Sequence, residues 1–424
     1  MKLLNKFDRN ALFIILEGIA FTMIFNLYNP FIQMFGKRLG AEDIHIALLN
    51  AAPPLVAIFV LIPCGILIER INSKKKTTIF LIFMNSLFYA AIAFVPFIPD
   101  RAKVVIYVLF IGLMNMPGSL YITTWQSFFA DTFSGSQANR VYSLRGKYGA
   151  FFGLFTALLT GWILTSIPKT EEGRLVVYQF FYVACFAISL LQLYFLSRVR
   201  PETAGPDADD NGRHAVSFKL ADFKDMFANK GFKVFCLCAF AFHFTWQMGW
   251  PLFFIYNVDY AGLNEFQLGL ISVAAGLTSF LSFSIWNRLM EKYGSRLIIL
   301  IGAAGLAMNP FFFTAQAGFY RIIAVNVIVG ISAAAFNLAL FCGLLETLPE
   351  SKKTVYISFF NTLTNITGFI APLVGVWIYE HATIYLAMLI VGILRMTATT
   401  LYAARWWQGR KIRKLEVSNK SLEA

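Results

Sequence analysis

Three ionisable side chains occur well inside long apolar stretches of the sequence: Glu17, His243 and Arg395. Ionisable groups are costly to place inside a membrane, and those found there commonly relay protons or contact a transported solute. Glu17 is therefore a candidate for proton coupling. The alternative hypothesis is a structural ion pair with a basic residue near the start of the fifth apolar stretch, such as Arg145 or Lys147.

His243 and Arg395 are weaker candidates for chemistry. We expect His243 to be neutral and hydrogen-bonded, and the Arg395 side chain to extend towards the cytoplasm. An enzyme needs several reactive groups that converge, whereas these three lie on different predicted helices, so we predict that the protein is not an enzyme. The cysteines lack zinc-site spacing and no phosphate-binding loop is present, so we expect no metal and no cofactor.

Uncharged polar side chains form stripes on two predicted helices. In the first apolar stretch they are spaced by four, three and four residues, which places them on one helical face. A similar stripe occupies the seventh stretch. Such residues either line a solute cavity or form hydrogen bonds between helices, and the sequence leaves both interpretations open. The cavity candidates are Asn26, Asn29, Asn115, Gln126, His243, Gln247, Trp250, Asn337, Asn361 and Asn365.

The composition requires much of the chain to contact lipid. Of 424 residues, 58% are hydrophobic and 14% are charged, whereas soluble domains are roughly 45–50% apolar and about 25% charged. A helix needs roughly 20 apolar residues to cross the hydrocarbon core of a bilayer. Twelve stretches meet this requirement, at 11–34, 45–68, 77–97, 104–128, 148–167, 175–197, 234–257, 266–287, 297–316, 322–344, 355–379 and 383–404.

Lysine and arginine predict the orientation of these spans. The side that holds both termini carries 28 of the 36 basic residues, and the opposite loops carry seven. Positive charge collects in cytoplasmic loops, so we predict a multi-pass protein of the plasma or inner membrane with both termini in the cytoplasm. Because the basic residues lie between apolar stretches, the net charge of +13 does not indicate nucleic-acid binding.

The two halves of the chain resemble one another. Asn29-Pro30 matches Trp250-Pro251 at an offset of 221 residues, and Asn26 falls on Gln247 at the same offset. Duplicated halves are typical of secondary transporters, in which the solute site lies near the middle of the membrane, where the repeats meet. We predict a six-helix bundle at 1–197, a cytoplasmic linker at 198–233, a second six-helix bundle at 234–404 and a cytoplasmic tail at 405–424.

A charged loop motif follows the second and the eighth span. The first copy is Gly65-x-x-x-Glu69-Arg70-x-Asn72 and the second is Asn287-x-x-x-Glu291-Lys292-x-Gly294-x-Arg296. Both resemble the cytoplasmic motif of the major facilitator superfamily, Gly-x-x-x-Asp-Arg/Lys-x-Gly-x-Arg/Lys. The fourth span lacks the arginine, and the fifth lacks the Gly-Pro pair, that are usual in the proton-coupled drug exporters of that superfamily.

The resemblance implies an all-α membrane protein of twelve helices in two pseudo-symmetric six-helix bundles, with the first, fourth, seventh and tenth helices lining the cavity. It implies a secondary active transporter that moves a small solute by rocker-switch alternating access. We expect a monomer whose partners are the solute, the lipid bilayer and, on the coupling hypothesis, protons. The alternative is a non-transporting receptor or a lipid-handling protein on the same scaffold.

The charged loops also suggest a cytoplasmic gate, in which opposite charges hold that side closed. The alternative is positive charge that only sets the orientation of the chain. The candidate gate residues are Glu69, Arg70, Asp131, Arg140, Glu291, Lys292, Arg296 and Glu346.

Overall fold

The computed structural model describes residues 9–69, 73–133, 135–200, 228–314, 318–349 and 353–422. These residues are almost entirely helical and contain no strand. Most of the predicted linker, residues 201–227, lies outside the described part of the chain. The helices are α1 (Arg9–Tyr28), α2 (Ile32–Arg38), α3 (Asp43–Glu69), α4 (Lys74–Ala93), α5 (Asp100–Thr132), α6 (Gly135–Ser166), α7 (Glu171–Arg198), α8 (Lys230–Ile255), α9 (Glu265–Tyr293), α10 (Ser295–Met308), α11 (Phe319–Leu345), α12 (Lys353–Glu380) and α13 (Ile384–Leu422).

Eleven of the described helical segments are long and apolar enough to cross a membrane. They correspond to every predicted span except the seventh, and α1 and α2 together form the first. The seventh predicted span lies in α8, a helix of 26 residues, whose hydropathy is lowered by polar side chains such as His243 and Gln247. The expected all-α membrane fold is confirmed, because a helix satisfies its own backbone hydrogen bonds and can therefore lie in lipid.

Local sequence explains where several helices begin and end. Thr170 caps α7 by accepting a hydrogen bond from the Gly173 backbone N–H at 3.1 Å. Asn229 caps α8 in the same way through the Phe232 N–H, also at 3.1 Å. A 3₁₀ turn containing Pro30 separates α1 from α2, because proline has no N–H with which to continue the α-helical hydrogen bonding.

The helices form two compact units, and each includes parts of the chain that are not contiguous in sequence. The first unit contains α1 to α7 together with residues 264–270, so the beginning of α9 belongs to it. Its closest helix pairs are α1 with α6, α3 with α5, α4 with α5, α4 with α7 and α1 with α7. Ile14, Ile82, Phe128 and Leu196 belong to the apolar core that these helices share.

The second unit contains α8, the remainder of α9, and α10 to α13. Its closest pairs are α10 with α11, α8 with α12, α10 with α13 and α8 with α13. Aligned by helix order, each of these pairs has an equivalent in the first unit, as duplicated bundles should. Glycines permit close approach here: a Cβ at Gly302 would lie 2.5 Å from the backbone nitrogen of Phe336.

Small residues also permit the closest helix pair in the first unit. The sequence Gly149-x-x-x-Gly153 on α6 predicts close packing, and this prediction is confirmed. A Cβ at Gly149 would lie 2.7 Å from Thr22 Oγ1, and a Cβ at Gly153 would lie 2.6 Å from Asn26 Nδ2. The backbone of α6 therefore lies directly against Thr22 and Asn26, two of the polar side chains that form the stripe on α1.

Candidate functional site

The first unit encloses a cavity of about 270 Å³ that is lined by α1, α3, α4, α5 and α7. The side chains along it are apolar or uncharged and polar. Asn29 and Asn115 line the cavity, so two of the residues predicted from sequence meet there. The other polar lining residues are Tyr28, Asn85, Ser119, Tyr121, Tyr89, Ser189 and Gln192.

Two further predicted cavity residues of the first unit lie elsewhere. Asn26 packs against Gly153 and donates from Nδ2 to the Thr22 carbonyl oxygen at 2.9 Å. Gln126 is exposed and does not line the cavity. Asn115 combines both possible roles, because it lines the cavity and also donates from Nδ2 to the Pro53 carbonyl oxygen on α3 at 2.8 Å.

Glu17 is completely buried and is at the centre of a hydrogen-bond network in the first unit. Its Oε2 accepts from Arg145 Nε at 3.2 Å. Its Oε1 accepts from Tyr121 Oη at 2.7 Å and from Gln192 Nε2 at 2.8 Å. Arg145, the basic partner that sequence analysis offered as one alternative, therefore contacts the carboxylate directly.

Arg145 is held by aromatic rings as well as by Glu17. Its guanidinium carbon lies 4.0 Å from the centre of the Trp125 ring and 5.7 Å from that of Phe21. Such cation–π contacts stabilise a cation that is largely removed from water. The side chain also lies over Gly18, where a Cβ would overlap it. The glycine next to Glu17 thus makes room for the partner of the carboxylate.

Tyr121 and Gln192 connect this ion pair to the cavity. Both side chains line the cavity and both donate hydrogen bonds to Glu17. They are also bonded to each other, with 3.1 Å between Gln192 Nε2 and Tyr121 Oη. A solute or water molecule in the cavity that competed for either donor would weaken the hydrogen bonding of the carboxylate. Tyr121 and Gln192 therefore link the lining of the cavity directly to the buried carboxylate.

In the second unit, the predicted residues of α8 are largely buried among aromatic rings. The His243 Nδ1 is 2.9 Å from the Ala239 carbonyl oxygen, so Nδ1 carries a proton and donates to this carbonyl. The Gln247 Oε1 is buried and has no hydrogen-bond partner among the described residues. Trp250 is partly exposed and contacts the Trp246 ring edge-on.

The remaining predicted cavity residues lie on α11 and α12. Asn337 and Asn361 are exposed, and Asn365 donates from Nδ2 to the Asn361 carbonyl oxygen at 2.9 Å. Their assignment to a solute cavity stays a prediction.

Arg395 contradicts the expectation that its side chain extends towards the cytoplasm. It is completely buried. Its Nε, Nη1 and Nη2 donate to the carbonyl oxygens of Thr245, Leu306 and Trp246 at 3.2, 3.1 and 2.7 Å. Gly249 makes room for the guanidinium. The rotation of α13 about its axis points the side chain into the unit, where backbone carbonyls take the place of water.

Sequence analysis missed Glu265, a second fully buried carboxylate in the first unit. It lies at the first residue of α9, one position before the predicted span. Its Oε1 accepts from Arg38 Nε at 3.1 Å and from Arg38 Nη2 at 2.9 Å, and Arg38 Nη1 also bonds Glu171 at 2.7 Å. Tyr121 and Gln192, which both bond Glu17, were not predicted either, because the local spacing of residues does not show which distant side chains will meet.

A model of the family described as Major Facilitator Superfamily matches this chain twice, over residues 14–242 and 235–422. The two matches together cover most of the chain and correspond to its two halves. The chain belongs to the Major Facilitator Superfamily. It is a multi-pass membrane transporter, as the resemblance of its loop motifs implied.

Among curated members of the superfamily, the chain is similar to a staphylopine export protein of Staphylococcus aureus (strain Mu50 / ATCC 700699). The two sequences are 26% identical over 143 residues. This alignment covers 32% of the present chain and 34% of the relative, so the chain matches about a third of that protein.

Solved structures of transporters share the fold. The nucleoside transporter NupG superposes with a TM-score of 0.70 at 16% identity, over 92% of this chain and 98% of that one. A POT family transporter, solved with a thioalcohol-conjugated peptide, gives a TM-score of 0.70 at 12% identity, over 93% and 96% of the two chains. A bacterial homologue of the human lysosomal transporter Spinster gives 0.63 at 14% identity, over 95% and 96%. At such low identity, the likeness concerns the fold.

The superfamily loop motif is described in its second copy. Gly294 separates α9 from α10 with a φ of +84°, a conformation in which glycine is favoured. The Glu346 Oε2 accepts from Ser295 Oγ at 2.8 Å, whereas among the described residues it forms no ion pair with Arg296. Glu291 accepts from Asn287 Nδ2 at 2.9 Å, and Lys292 lies over the Tyr293 ring.

The other candidate gate residues are described only in part. Arg140 is exposed on α6. Arg70 and the side chains of Glu69 and Asp131 lie outside the described part of the chain. The cytoplasmic gate stays a prediction.

Proposed function

We propose that the chain is a secondary active transporter that moves a small solute by rocker-switch alternating access. The observation that carries the proposal is the uncharged polar cavity of the first unit, whose wall is hydrogen-bonded to the buried Glu17. Membership of the superfamily supports it independently. The receptor and lipid-handling alternatives predict no solute flux.

The lining of the cavity indicates the chemistry of the solute. Its polar groups are tyrosine hydroxyls, serine hydroxyls and amides, and no charged side chain occurs among the lining residues that the structure describes. The part of the solute seated there is accordingly polar, uncharged and able to accept as well as donate hydrogen bonds. Staphylopine is the first solute to test, because a relative is named for its export, and export is the direction that this relative favours.

The experiment begins with a screen for solutes that raise the thermal unfolding temperature of the purified protein, starting with staphylopine. Solutes that do so are then tested for flux in proteoliposomes. We expect Asn29→Leu to reduce flux at least tenfold, because Asn29 lines the cavity and is exposed enough to be replaced without disturbing the core. Gln126→Leu is the matched control, since Gln126 is also exposed but does not line the cavity.

Two outcomes would contradict this proposal. Solutes that stabilise the protein without any flux would favour a receptor. Equal flux in the Asn29 and Gln126 variants would show that the cavity is not part of the transport route.

We further propose that Glu17 couples transport to protons. A coupling carboxylate must exchange its proton with the solute pathway, and Tyr121 and Gln192 provide the contact between Glu17 and the cavity. The competing role is a structural ion pair with Arg145. If Glu17 couples transport to protons, Glu17→Gln removes the dependence of flux on an imposed proton gradient but retains exchange of solute for solute.

The structural role predicts a different pattern. Glu17→Gln would then lower the unfolding temperature and every form of flux together, and a second substitution, Arg145→Met, would restore both. Gradient-dependent flux that persists in a stable Glu17→Gln protein would exclude coupling through this residue.

We also propose that both termini lie in the cytoplasm, on the basis of the distribution of lysine and arginine. Single cysteines introduced at Arg321 and at Arg288 would test the orientation, since both positions are exposed and lie on opposite predicted sides. We expect an impermeant maleimide added to intact cells to label the first position only. Labelling of the cysteine at Arg288 only would place both termini on the outer side of the membrane.

A further inference from the structure

A second cavity, of about 480 Å³, lies in the second unit where α9 and α11 end and α10 begins, beside the part of α13 that carries Trp406 and Arg410. Arg296 comes from the first turn of α10, and Arg410 and Trp406 come from α13. The cavity is separate from the uncharged site of the first unit and has the opposite character, because two guanidinium groups line it. Arg296 also belongs to the predicted cytoplasmic gate, whereas Arg410 belongs to no site predicted from the sequence.

The charges of this cavity are not balanced. Among the described residues, neither Arg296 nor Arg410 forms an ion pair or a hydrogen bond with another side chain, and Arg410 only lies over the Trp406 ring, at 5.4 Å. The lining residues that the structure describes include one carboxylate, that of Glu346, which accepts from Ser295 Oγ. Arg405 is largely buried nearby and interacts electrostatically with both Arg296 and Glu346. Three arginines therefore face one glutamate.

The backbone around the cavity is arranged to hold Arg296 in place. Gly409 on α13 is buried, and a Cβ at this position would overlap Arg296 Nη1. The first turn of α10 follows Gly294, and no described side chain caps it. The free N–H groups of a helix N-terminus add partial positive charge to that of the guanidinium groups. The cavity therefore favours an oxyanion whose oxygens accept hydrogen bonds from both guanidinium groups.

The position of the cavity indicates where this anion comes from. Arg410 ends the membrane-crossing part of α13, and Trp407 beside the cavity is 73% exposed. Tryptophan at the end of a span is typical of the headgroup layer. The sequence then continues with Lys411, Arg413 and Lys414, and basic clusters just cytoplasmic of a span attract anionic lipids.

We infer that this cavity binds the phosphodiester headgroup of an anionic phospholipid of the cytoplasmic leaflet, with Arg296 and Arg410 as the phosphate-binding side chains. Arginine forms paired hydrogen bonds with phosphate oxygens, and Trp406 packs beside them. Free phosphate and soluble phosphate esters offer the same chemistry, so an experiment has to separate them from lipid.

The test uses the full chain, purified and stripped of lipid in detergent, and titrated with phosphatidylglycerol or phosphatidylcholine in mixed micelles. We expect phosphatidylglycerol alone to raise the unfolding temperature. In the Arg296→Gln/Arg410→Gln variant, the apparent affinity for phosphatidylglycerol should fall roughly 30-fold, at about 1 kcal/mol per arginine. Arg288→Gln, which removes an exposed arginine from the same predicted face and the same unit, should leave the affinity unchanged.

Each other outcome overturns the inference. An equal response to phosphatidylcholine would show that the headgroup charge is not recognised. Stabilisation by inorganic phosphate at millimolar concentration, with the same loss in the variant, would assign the site to a soluble anion.

If the double variant does not fold, Arg410→Gln alone decides the matter, because Arg410 is exposed and its replacement leaves the core intact. We expect a loss of roughly fivefold from this single change. An unchanged affinity for phosphatidylglycerol would exclude the site.

Discussion

Arg145 in the first unit and Arg395 in the second are both largely removed from solvent, and they are stabilised in different ways. In the first unit, Arg145 is paired with the carboxylate of Glu17 and lies over aromatic rings. In the second unit, Arg395 bonds three backbone carbonyl oxygens and, among the described residues, forms no ion pair with a carboxylate. Both lie over a glycine, Gly18 in the first unit and Gly249 in the second.

The two arginines therefore depend on different kinds of partner. The charge of Arg145 is opposed by that of the Glu17 carboxylate, so this contact is lost when either side chain is replaced. The partners of Arg395 are backbone carbonyl oxygens, which remain whatever side chains the neighbouring helices carry, and these contacts tie α13 to α8 and α10.

The largest effect should come from breaking the pair of the first unit. Arg145→Met leaves Glu17 buried without its partner, and we expect the free energy of unfolding to fall by about 3–5 kcal/mol. Thermal or denaturant unfolding in detergent would measure this. Lys147→Met is the matched control, because Lys147 is exposed on the same helix.

The pairing itself is tested by adding Glu17→Gln to Arg145→Met. Neutralising both members should recover most of the lost stability. If the double variant were as unstable as Arg145→Met, the ion pair would not be the source of the effect.

A smaller effect is expected at the arginine of the second unit. Arg395→Gln keeps one hydrogen bond and loses the others, so the unfolding free energy should fall by about 2–3 kcal/mol. Arg395→Lys should lose less, because the charge stays while the planar donor geometry is lost. Unfolding of the two variants beside Arg321→Gln, an exposed control in the same unit, measures the difference. An Arg395→Gln protein as stable as the wild type would mean that the carbonyl contacts contribute nothing.

The two glycines should behave alike despite the different partners. Gly18→Ala and Gly249→Ala each place a methyl group where an arginine lies, and we expect a loss of about 1–3 kcal/mol from this overpacking. Gly146→Ala is the control on α6, since a Cβ there meets no atom within 4 Å. If Gly146→Ala were equally destabilised, the loss would reflect the replacement of a helical glycine in general and not a clash with an arginine.

The smallest effect is expected from Tyr121→Phe. This change removes one of three hydrogen bonds to Glu17 and leaves Arg145 and Gln192 in place. We expect a loss of about 0.5–1.5 kcal/mol in unfolding free energy, and a weaker dependence of solute flux on an imposed proton gradient. Tyr148→Phe, at an exposed position on α6, should change neither. A gradient dependence unaltered by Tyr121→Phe would argue against a route from the cavity to Glu17 through this hydroxyl.

Much of the fold could be predicted because lipid imposes strict rules on sequence. An apolar stretch of the right length must be helical to satisfy its backbone groups, and eleven predicted spans were recovered on this basis. The seventh predicted span is also a helix, α8, although polar side chains such as His243 and Gln247 dilute its hydropathy. The Gly149-x-x-x-Gly153 spacing on α6 was also informative, because two helices approach closely only where the side chains between them are small.

The site was predictable only in part. Glu17 stood out because a carboxylate in an apolar stretch is rare, and Arg145 was one of two basic partners within reach. Arg395 was misjudged because both burial and extension to the headgroups are open to a long basic side chain. Whether the Arg395 side chain is buried or extends to the headgroups depends on the rotation of α13 and on the carbonyl groups that α8 and α10 present. Glu265 was missed because its burial depends on Arg38, which is 227 residues away.

The sequence by itself determined that this chain lies in a membrane as a repeated set of helices, since hydropathy and motif spacing act over a few turns of one helix. Only the tertiary structure decided which polar groups meet. It brought Asn29 and Asn115 to one cavity and joined Glu17 to Arg145, Tyr121 and Gln192. Inside lipid a buried polar group needs a hydrogen-bond partner, and which group on another helix can serve is set by how the helices pack.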